Sequence, residues 1–318
     1  MRSPAPLVAL GLLALVPCAV AVPVSAAEGK RPRAAGKEPA PTLTRLAVPH
    51  EDRRYKTTPQ GDLSLHFSLP AEWRPTDSRP AIVLFFGGGW KGGSARQFAP
   101  QCDYFASRGM VAAAADYRIK SVHGTAPDAC VEDAKSAVRW LRGHARELGI
   151  DPDRIAAGGG SAGGHLAACT ALVDGFDAEA EDRAISSRPN ALVLFNPGLN
   201  IDELAANRDI GLDAKLAAAI TPNRFIKAGA PPAIIFFGTD DPMLVGAERY
   251  VAKARPLGVR VELWTASGQP HGFFNRSPWI EATARQADLF LASLGYLDGP
   301  PTVDAPAGSE LRSADPPE

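Results

Sequence analysis

The sequence predicts an α/β protein with a mostly parallel central sheet and helices on both faces. Three observations lead there. Strand-like apolar runs alternate with amphipathic helical stretches along most of the chain. Several of those runs are continuously apolar, as strands covered on both faces must be. The 318 residues, 45% hydrophobic and 22% charged, suit one globular domain with a sizeable core.

Taken in order, residues 1–26 read as a secretory signal. Arg2 supplies the positive start, an apolar stretch interrupted by Pro17 follows, and Val24-Ser25-Ala26 places small residues before a cleavage point. The stretch is too short and broken for a stable membrane span. Pro17 directly before Cys18 fits a lipid-attachment motif poorly. The expected location is therefore secreted or periplasmic. Residues 27–44 are rich in Lys, Arg, Pro, Gly and Ala without an apolar period, so a flexible linker is expected. Lys30-Arg31-Pro32-Arg33 reads there as a solvated run, not a binding patch.

The folded domain is expected over 45–297. Residues 63–69 alternate apolar and polar, the pattern of a strand with one covered face. Residues 81–86 and 110–115 are continuous apolar strands. Residues 131–148 carry a helical period through Ala134, Ala137, Val138 and Leu141. A short strand at 154–157 runs into glycines and then a helix through Leu166 and Leu172. Residues 191–195, 233–237 and 259–264 add strands, and 279–294 closes with an amphipathic helix. The stretch 198–230 fits no core strand and holds a weak helix near 212–219. Beyond a strand end it serves either as part of a lid or as a surface excursion. Residues 298–318 hold five prolines and no large apolar cluster, and disorder is expected.

Net charge of −1 gives no reason to expect nucleic acid or an anionic membrane as partner. With the leader removed, Cys102, Cys130 and Cys169 remain. Three is odd, so at least one stays outside an intrachain disulfide. A Cys102–Cys130 pair is compatible with an oxidising compartment, and Cys169 reads as a small buried hydrophobe. No spacing suggests a metal site or a phosphate-binding glycine loop.

Four elements carry chemistry. The first is Gly159-Gly160-Ser161-Ala162-Gly163, set between a strand and a helix, the arrangement of a nucleophile elbow around Ser161. Glycines are needed because the tight turn strains the serine backbone and brings strand and helix close. The second is Phe86-Gly87-Gly88-Gly89-Trp90 after a buried strand. Backbone N–H groups of Gly88 and Gly89, with that of Ala162, are the candidate donors to a carbonyl oxygen that becomes negative during acyl transfer. The third is Thr239-Asp240-Asp241 at a strand's end. Asp241 is the preferred carboxylate for orienting an imidazole, with Asp240 as the alternative. The fourth is Gln269-Pro270-His271-Gly272-Phe273, whose His271 is the candidate general base. The chain order Ser161, Asp241, His271 is the one this strand arrangement requires. His165, one helical turn beyond Ser161, reads as packing or hydrogen bonding beside the elbow. His50, His66, His123 and His144 have no supporting motif.

Together with Asp116-Tyr117-Arg118, Asp151-Pro152-Asp153-Arg154-Ile155 and Gly163-Gly164-His165, these motifs resemble the esterase/lipase branch of the α/β hydrolases. That branch includes hormone-sensitive-lipase-like esterases and feruloyl- and acetylxylan-esterase-like proteins of bacteria. The resemblance spans roughly residues 45–297. It implies the α/β-hydrolase fold, a Ser–Asp–His triad at Ser161, Asp241 and His271, an oxyanion hole from Gly88, Gly89 and Ala162, and no cofactor. The expected activity is hydrolysis of short acyl esters, with acetyl or feruloyl groups on polysaccharide as candidate substrates. One departure stands out. The hormone-sensitive-lipase-like pattern has His before the three glycines, and here Phe86 must hold the loop by packing. Asp116, Tyr117, Arg118 and Asp133 are expected as buried framework residues. Two other readings keep the same residues: a serine exopeptidase related to prolyl oligopeptidases, and a non-catalytic binding protein on a hydrolase scaffold.

Overall fold

The computed structural model describes residues 43, 46–207 and 210–314. The expected signal segment 1–26 and nearly all of the expected linker lie outside the described residues. The chain begins with an antiparallel pair, β1 (His50–Thr58) and β2 (Gly61–Ser68). Next come β3 (Arg79–Phe85), helix α1 (Ala99–Ser107) and β4 (Val111–Ala115). A short helix α2 (Lys120–His123) and a long α3 (Pro127–Gly143) lead to β5 (Ile150–Gly160), which turns directly into α4 (Ala162–Leu172). Strand β6 (Ala191–Phe195) is followed by α5 (Ile201–Asn207), α6 (Ala214–Ala219) and β7 (Ala233–Gly238). The described chain closes with α7 (Leu244–Ala254), β8 (Val261–Ala266), α8 (Trp279–Ser293) and β9 (Leu311–Ser313).

The strands form one sheet in the order β1-β2-β4-β3-β5-β6-β7-β8-β9. From β4 to β8 all neighbours are parallel, and the outer pairings are antiparallel. Every residue of β4, β6 and β7 is buried, which is why their sequences show no alternation. β4 lies on one side of β3 and β5 on the other. Right-handed crossovers therefore place α1 on one face and α3 and α4 on the opposite face. Helix α8 joins α1: Asp288 is buried and accepts hydrogen bonds from Tyr104 Oη at 2.6 Å and Arg108 Nε at 2.7 Å. The reversal of strand order opens a crevice at the C-terminal ends of β3 and β5, where open α/β sheets bind ligands.

The framework residues largely behave as expected. Asp133 is buried and accepts from Arg118 N at 3.0 Å, Arg118 Nε at 2.8 Å and Lys56 Nζ at 2.7 Å. This network pins the segment after β4 to α3 and to β1. Tyr117 is buried too. Asp116 departs from the expectation: it is half-buried and faces His66 Nε2 at 3.1 Å.

Other differences have physical causes. β1 gave no strand signal because only Tyr55 along it is buried; its charged residues suit a sheet edge. Helix α3 stops at Gly143, short of 148: His144 leaves the helical region at φ −104° and ψ 15°, and Gly149, at φ +59°, then turns the chain into β5. The 298–318 segment is not disordered over its described part. β9 pairs with the open edge of β8, Val303 is buried, and Arg108 Nη2 donates to Asp298 O at 2.9 Å. An edge strand of three residues is held by backbone bonds, which leave no apolar pattern to read. Cys102 and Cys130 form no disulfide. They sit on α1 and α3, on opposite sides of the sheet, and the Cys130 thiol donates to Arg118 O at 3.0 Å. Among the described residues no helix is long and apolar enough to cross a membrane.

Asp133→Ala should destabilise the fold by about 2–3 kcal/mol in urea unfolding, because it removes the buried carboxylate that Arg118 and Lys56 share and leaves both to Glu132 alone. A change below about 0.5 kcal/mol would show that the network contributes nothing.

Candidate active site

Ser161 is built by the turn between β5 and α4. Its backbone lies at φ +53° and ψ −116°, a region costly for a side-chain residue by about 1–3 kcal/mol. Ser161 N is held by Phe195 O at 2.9 Å. The turn closes only because its glycines lack side chains. A Cβ on Gly163 would collide with the carbonyl oxygens of Phe85 and Phe86, and one on Gly160 with the Phe274 ring. As the first residue of α4, Ala162 has an N–H without an intrahelical acceptor.

The loop after β7 brings in the carboxylate, and the loop after β8 the imidazole. Ser161 Oγ lies 2.8 Å from His271 Nε2, and His271 Nδ1 lies 2.6 Å from Asp241 Oδ2. Asp241 is 3% exposed, while the His271 side chain is 39% exposed, so the carboxylate is shielded and the imidazole faces the crevice. Asp240 is exposed; its amide donates to Gln269 O at 3.1 Å and its side chain meets Thr239 Oγ1 at 3.4 Å. The structure therefore resolves the alternative geometrically: Asp241, not Asp240, is joined to His271.

A cavity of about 590 Å³ opens above this chain of contacts. Gly89, Ser161, Ala162 and His271 line it, and Leu199, Leu204 and Met243 give it apolar walls. The 198–230 stretch, which held a lid or a surface excursion open, supplies that wall through α5. Gly88 is not among the lining residues. Its φ of +131° and the crowding of Gly92 O show a backbone wound tightly behind Gly89. Phe86, which stands where a histidine was expected, does hold the loop by packing. It stacks on Tyr117 with ring centroids 4.1 Å apart, and Tyr117 Oη donates to Phe86 O at 2.7 Å.

His165 lies beside the elbow as a buried hydrogen-bonding group. Its Nδ1 accepts from Trp90 Nε1 at 3.2 Å and its Nε2 donates to Ile220 O at 2.7 Å. These bonds call for the neutral ring, and burial pushes its pKa down to about 4. The imidazole thus ties the glycine loop to the stretch that walls the cavity.

Two residues escaped the sequence reading. Asn196, buried and at φ +43°, donates from Nδ2 to Asp241 Oδ2 at 2.9 Å and accepts from Gly272 N at 3.3 Å. It braces the carboxylate and the histidine loop together. Its signal was its place directly after β6, the same strand-end position that drew attention to the others. Gln97 accepts from Gly87 N at 2.6 Å and donates to Asn275 Oδ1 at 2.8 Å, linking the glycine loop to the histidine loop. No local pattern marks it, because Asn275, the partner that gives it a bridging role, lies 178 residues away.

This arrangement can move a proton from a hydroxyl to an imidazole backed by a shielded carboxylate, beside free backbone N–H groups. It is the equipment for acyl transfer. Known proteins agree. The family model BD-FAE matches residues 67–195. Carboxylesterase NlhH of Mycobacterium tuberculosis is 27% identical over 254 residues, covering 70% of this chain and 76% of the relative. The apo form of Thermogutta terrifontis esterase 2 is similar in structure, with a TM-score of 0.74 and 46% identity over 79% of this chain and 96% of that one. The same Thermogutta esterase is known phosphorylated by paraoxon and with propionate bound. The chain belongs to the esterases of the α/β-hydrolase family and is a serine hydrolase of carboxylic ester bonds.

Proposed function

We propose that the protein cleaves short acyl esters, with Ser161 as nucleophile, His271 as general base and acid, and Asp241 as its orienting carboxylate. The observation that carries this reading is the unbroken contact chain Ser161–His271–Asp241, at 2.8 and 2.6 Å, on the floor of the cavity. Ser161 Oγ attacks the ester carbonyl carbon as His271 Nε2 takes its proton. Asp241 stabilises the imidazolium that forms. The carbonyl oxygen, now negative, faces the N–H groups of Gly89 and Ala162, with Gly88 N–H as the further candidate donor; each such donor contributes about 3–4 kcal/mol. His271 returns the proton to the departing alcohol. Water then repeats the sequence on the acyl-serine and releases the acid.

Short acyl groups suit an apolar cavity of this size, and the bound propionate in the Thermogutta esterase supports the same reading. Acetyl or feruloyl groups on polysaccharide remain the proposed natural substrates. The support is the BD-FAE match together with the motif resemblance to feruloyl- and acetylxylan-esterase-like proteins. Secretion or periplasmic export is proposed from residues 1–26. Fractionation of expressing cells and N-terminal sequencing should find mature protein outside the cytoplasm, starting near residue 27; an intact Met1 in the cytoplasm would oppose export.

Across 4-nitrophenyl acetate to octanoate, kcat/KM should peak at two to four acyl carbons, acetylated xylan should release acetate, and aminoacyl anilides should stay intact. Ser161→Ala should abolish turnover and fluorophosphonate labelling; unchanged turnover would remove Ser161 from the mechanism. Asp241→Asn should lower kcat about ten-thousand-fold, as expected when the imidazole loses its orienting carboxylate. Asp240→Asn should stay within about threefold of the parent, and the reverse ranking would reassign the carboxylate.

A further inference from the structure

A second hollow of about 240 Å³ adjoins the catalytic cavity and shares Gly89, Trp90, Lys91 and Ile210 with it. Its other side is formed by the chain from Lys120 to Pro127. Backbone bonds fasten the two sides together: Lys120 N donates to Trp90 O at 2.9 Å and Ser121 N to Lys91 O at 3.0 Å. Two ammonium-bearing side chains are thereby brought to one hollow by backbone contacts.

Neither lysine has a carboxylate partner among the described residues. Lys56, Lys135 and Lys227 are each matched by an aspartate or glutamate, at 2.7, 3.7 and 3.2 Å, whereas Lys215 and Lys253, like Lys91 and Lys120, have none among the described residues. Among the described residues, two acidic groups near the hollow are accounted for. Glu203 lines the catalytic cavity but is engaged by Arg249, and Asp128, in the first turn of α3, is not among the lining residues. Thr125 also lines the hollow. Both side chains carry a cation at one hollow, and an anion bound there accepts a charge-assisted hydrogen bond.

We infer that this hollow is a subsite for a carboxylate carried by the ester substrate, with Lys91 and Lys120 as specificity-determining residues. The inference rests on the esterase reading above and narrows it to acidic esters. An acylated polysaccharide with uronic acid units has this chemistry on the alcohol side, and a half-ester of a dicarboxylic acid has it on the acyl side.

The test compares esters that differ only in charge. On the alcohol side, 4-acetoxybenzoate is set against the neutral 4-acetoxybenzamide. On the acyl side, the 4-nitrophenyl monoester of glutaric acid is set against 4-nitrophenyl pentanoate. In at least one pair the parent enzyme should favour the anionic ester in kcat/KM by about fivefold, mainly through KM, as expected for partly exposed ion pairs. Raising the salt from 0.02 to 0.5 M should erase most of that preference, since exposed charges are screened. Lys120→Gln should reduce the preference severalfold and leave the neutral ester within about twofold. Lys91→Gln added to it should bring the ratio near one. The pair that shows the effect tells whether alcohol or acyl group carries the charge. Parity in both pairs for the parent, or a preference that survives loss of both lysines, overturns the subsite. Failure to hydrolyse the neutral acetate as well would instead overturn the esterase reading.

Discussion

The whole site depends on how closely the first turn of α4 approaches the end of β3. Gly163 has no room for a side chain, because its Cβ would strike the carbonyl oxygens of Phe85 and Phe86. That contact sets the distance between the nucleophile turn and the glycine loop. Gly87 shows the same closeness from the other side: a Cβ there would lie 3.0 Å from Gly160 O and 3.4 Å from Ser161 Cβ. With the two loops pressed together, the N–H groups of Gly89 and Ala162 open on one cavity beside Ser161. A larger residue at either glycine would push them apart, and Ser161 and its proposed oxyanion donors would no longer converge.

The other half of the site is held by a similar device. A Cβ on Gly238 would strike Gln269 O, so the aspartate loop and the histidine loop are also in backbone contact. Asn196 bridges them with its side-chain amide, and Gln97 with Asn275 ties the histidine loop back to the glycine loop. Four strand ends therefore hold one another through backbone approach and side-chain amides. These interactions keep their geometry without changing charge, so they can hold the Ser161–His271–Asp241 contacts in place while a proton passes between the hydroxyl and the imidazole. His165 belongs to the same scheme: neutral and buried, it fastens Trp90 to Ile220 without titrating near neutral pH.

Legibility in the sequence followed burial on both faces. The strands at 81–86, 191–195 and 233–237 were plain because every position is covered, so the apolar run is unbroken. β1 and β9 were invisible because edge strands are held by backbone bonds and their side chains face water. The missing Cys102–Cys130 disulfide has the same kind of cause. Cysteine count says nothing of which face of the sheet a helix covers, and the reversal of strand order puts these two on opposite faces. The substitution of Phe86 for histidine looked like a weakness of the glycine loop, and Tyr117 removes it by stacking on the ring and bonding the carbonyl.

By itself the sequence determined the α/β class, the elbow at Ser161 and the chain order of Ser161, Asp241 and His271. Strand–turn–helix periodicity and local glycine chemistry are short-range properties, written in consecutive residues. Only the tertiary structure decided between Asp240 and Asp241, since adjacent residues at a strand end point in different directions and one alone meets His271. It alone revealed Asn196 and Gln97, which reach Asp241 45 residues away and Asn275 178 residues away. It also showed that α5 walls the cavity and that Lys91 and Lys120 face one hollow. Those facts depend on which loops the sheet order brings side by side, and that order is a property of the packed sheet, beyond the reach of any local pattern.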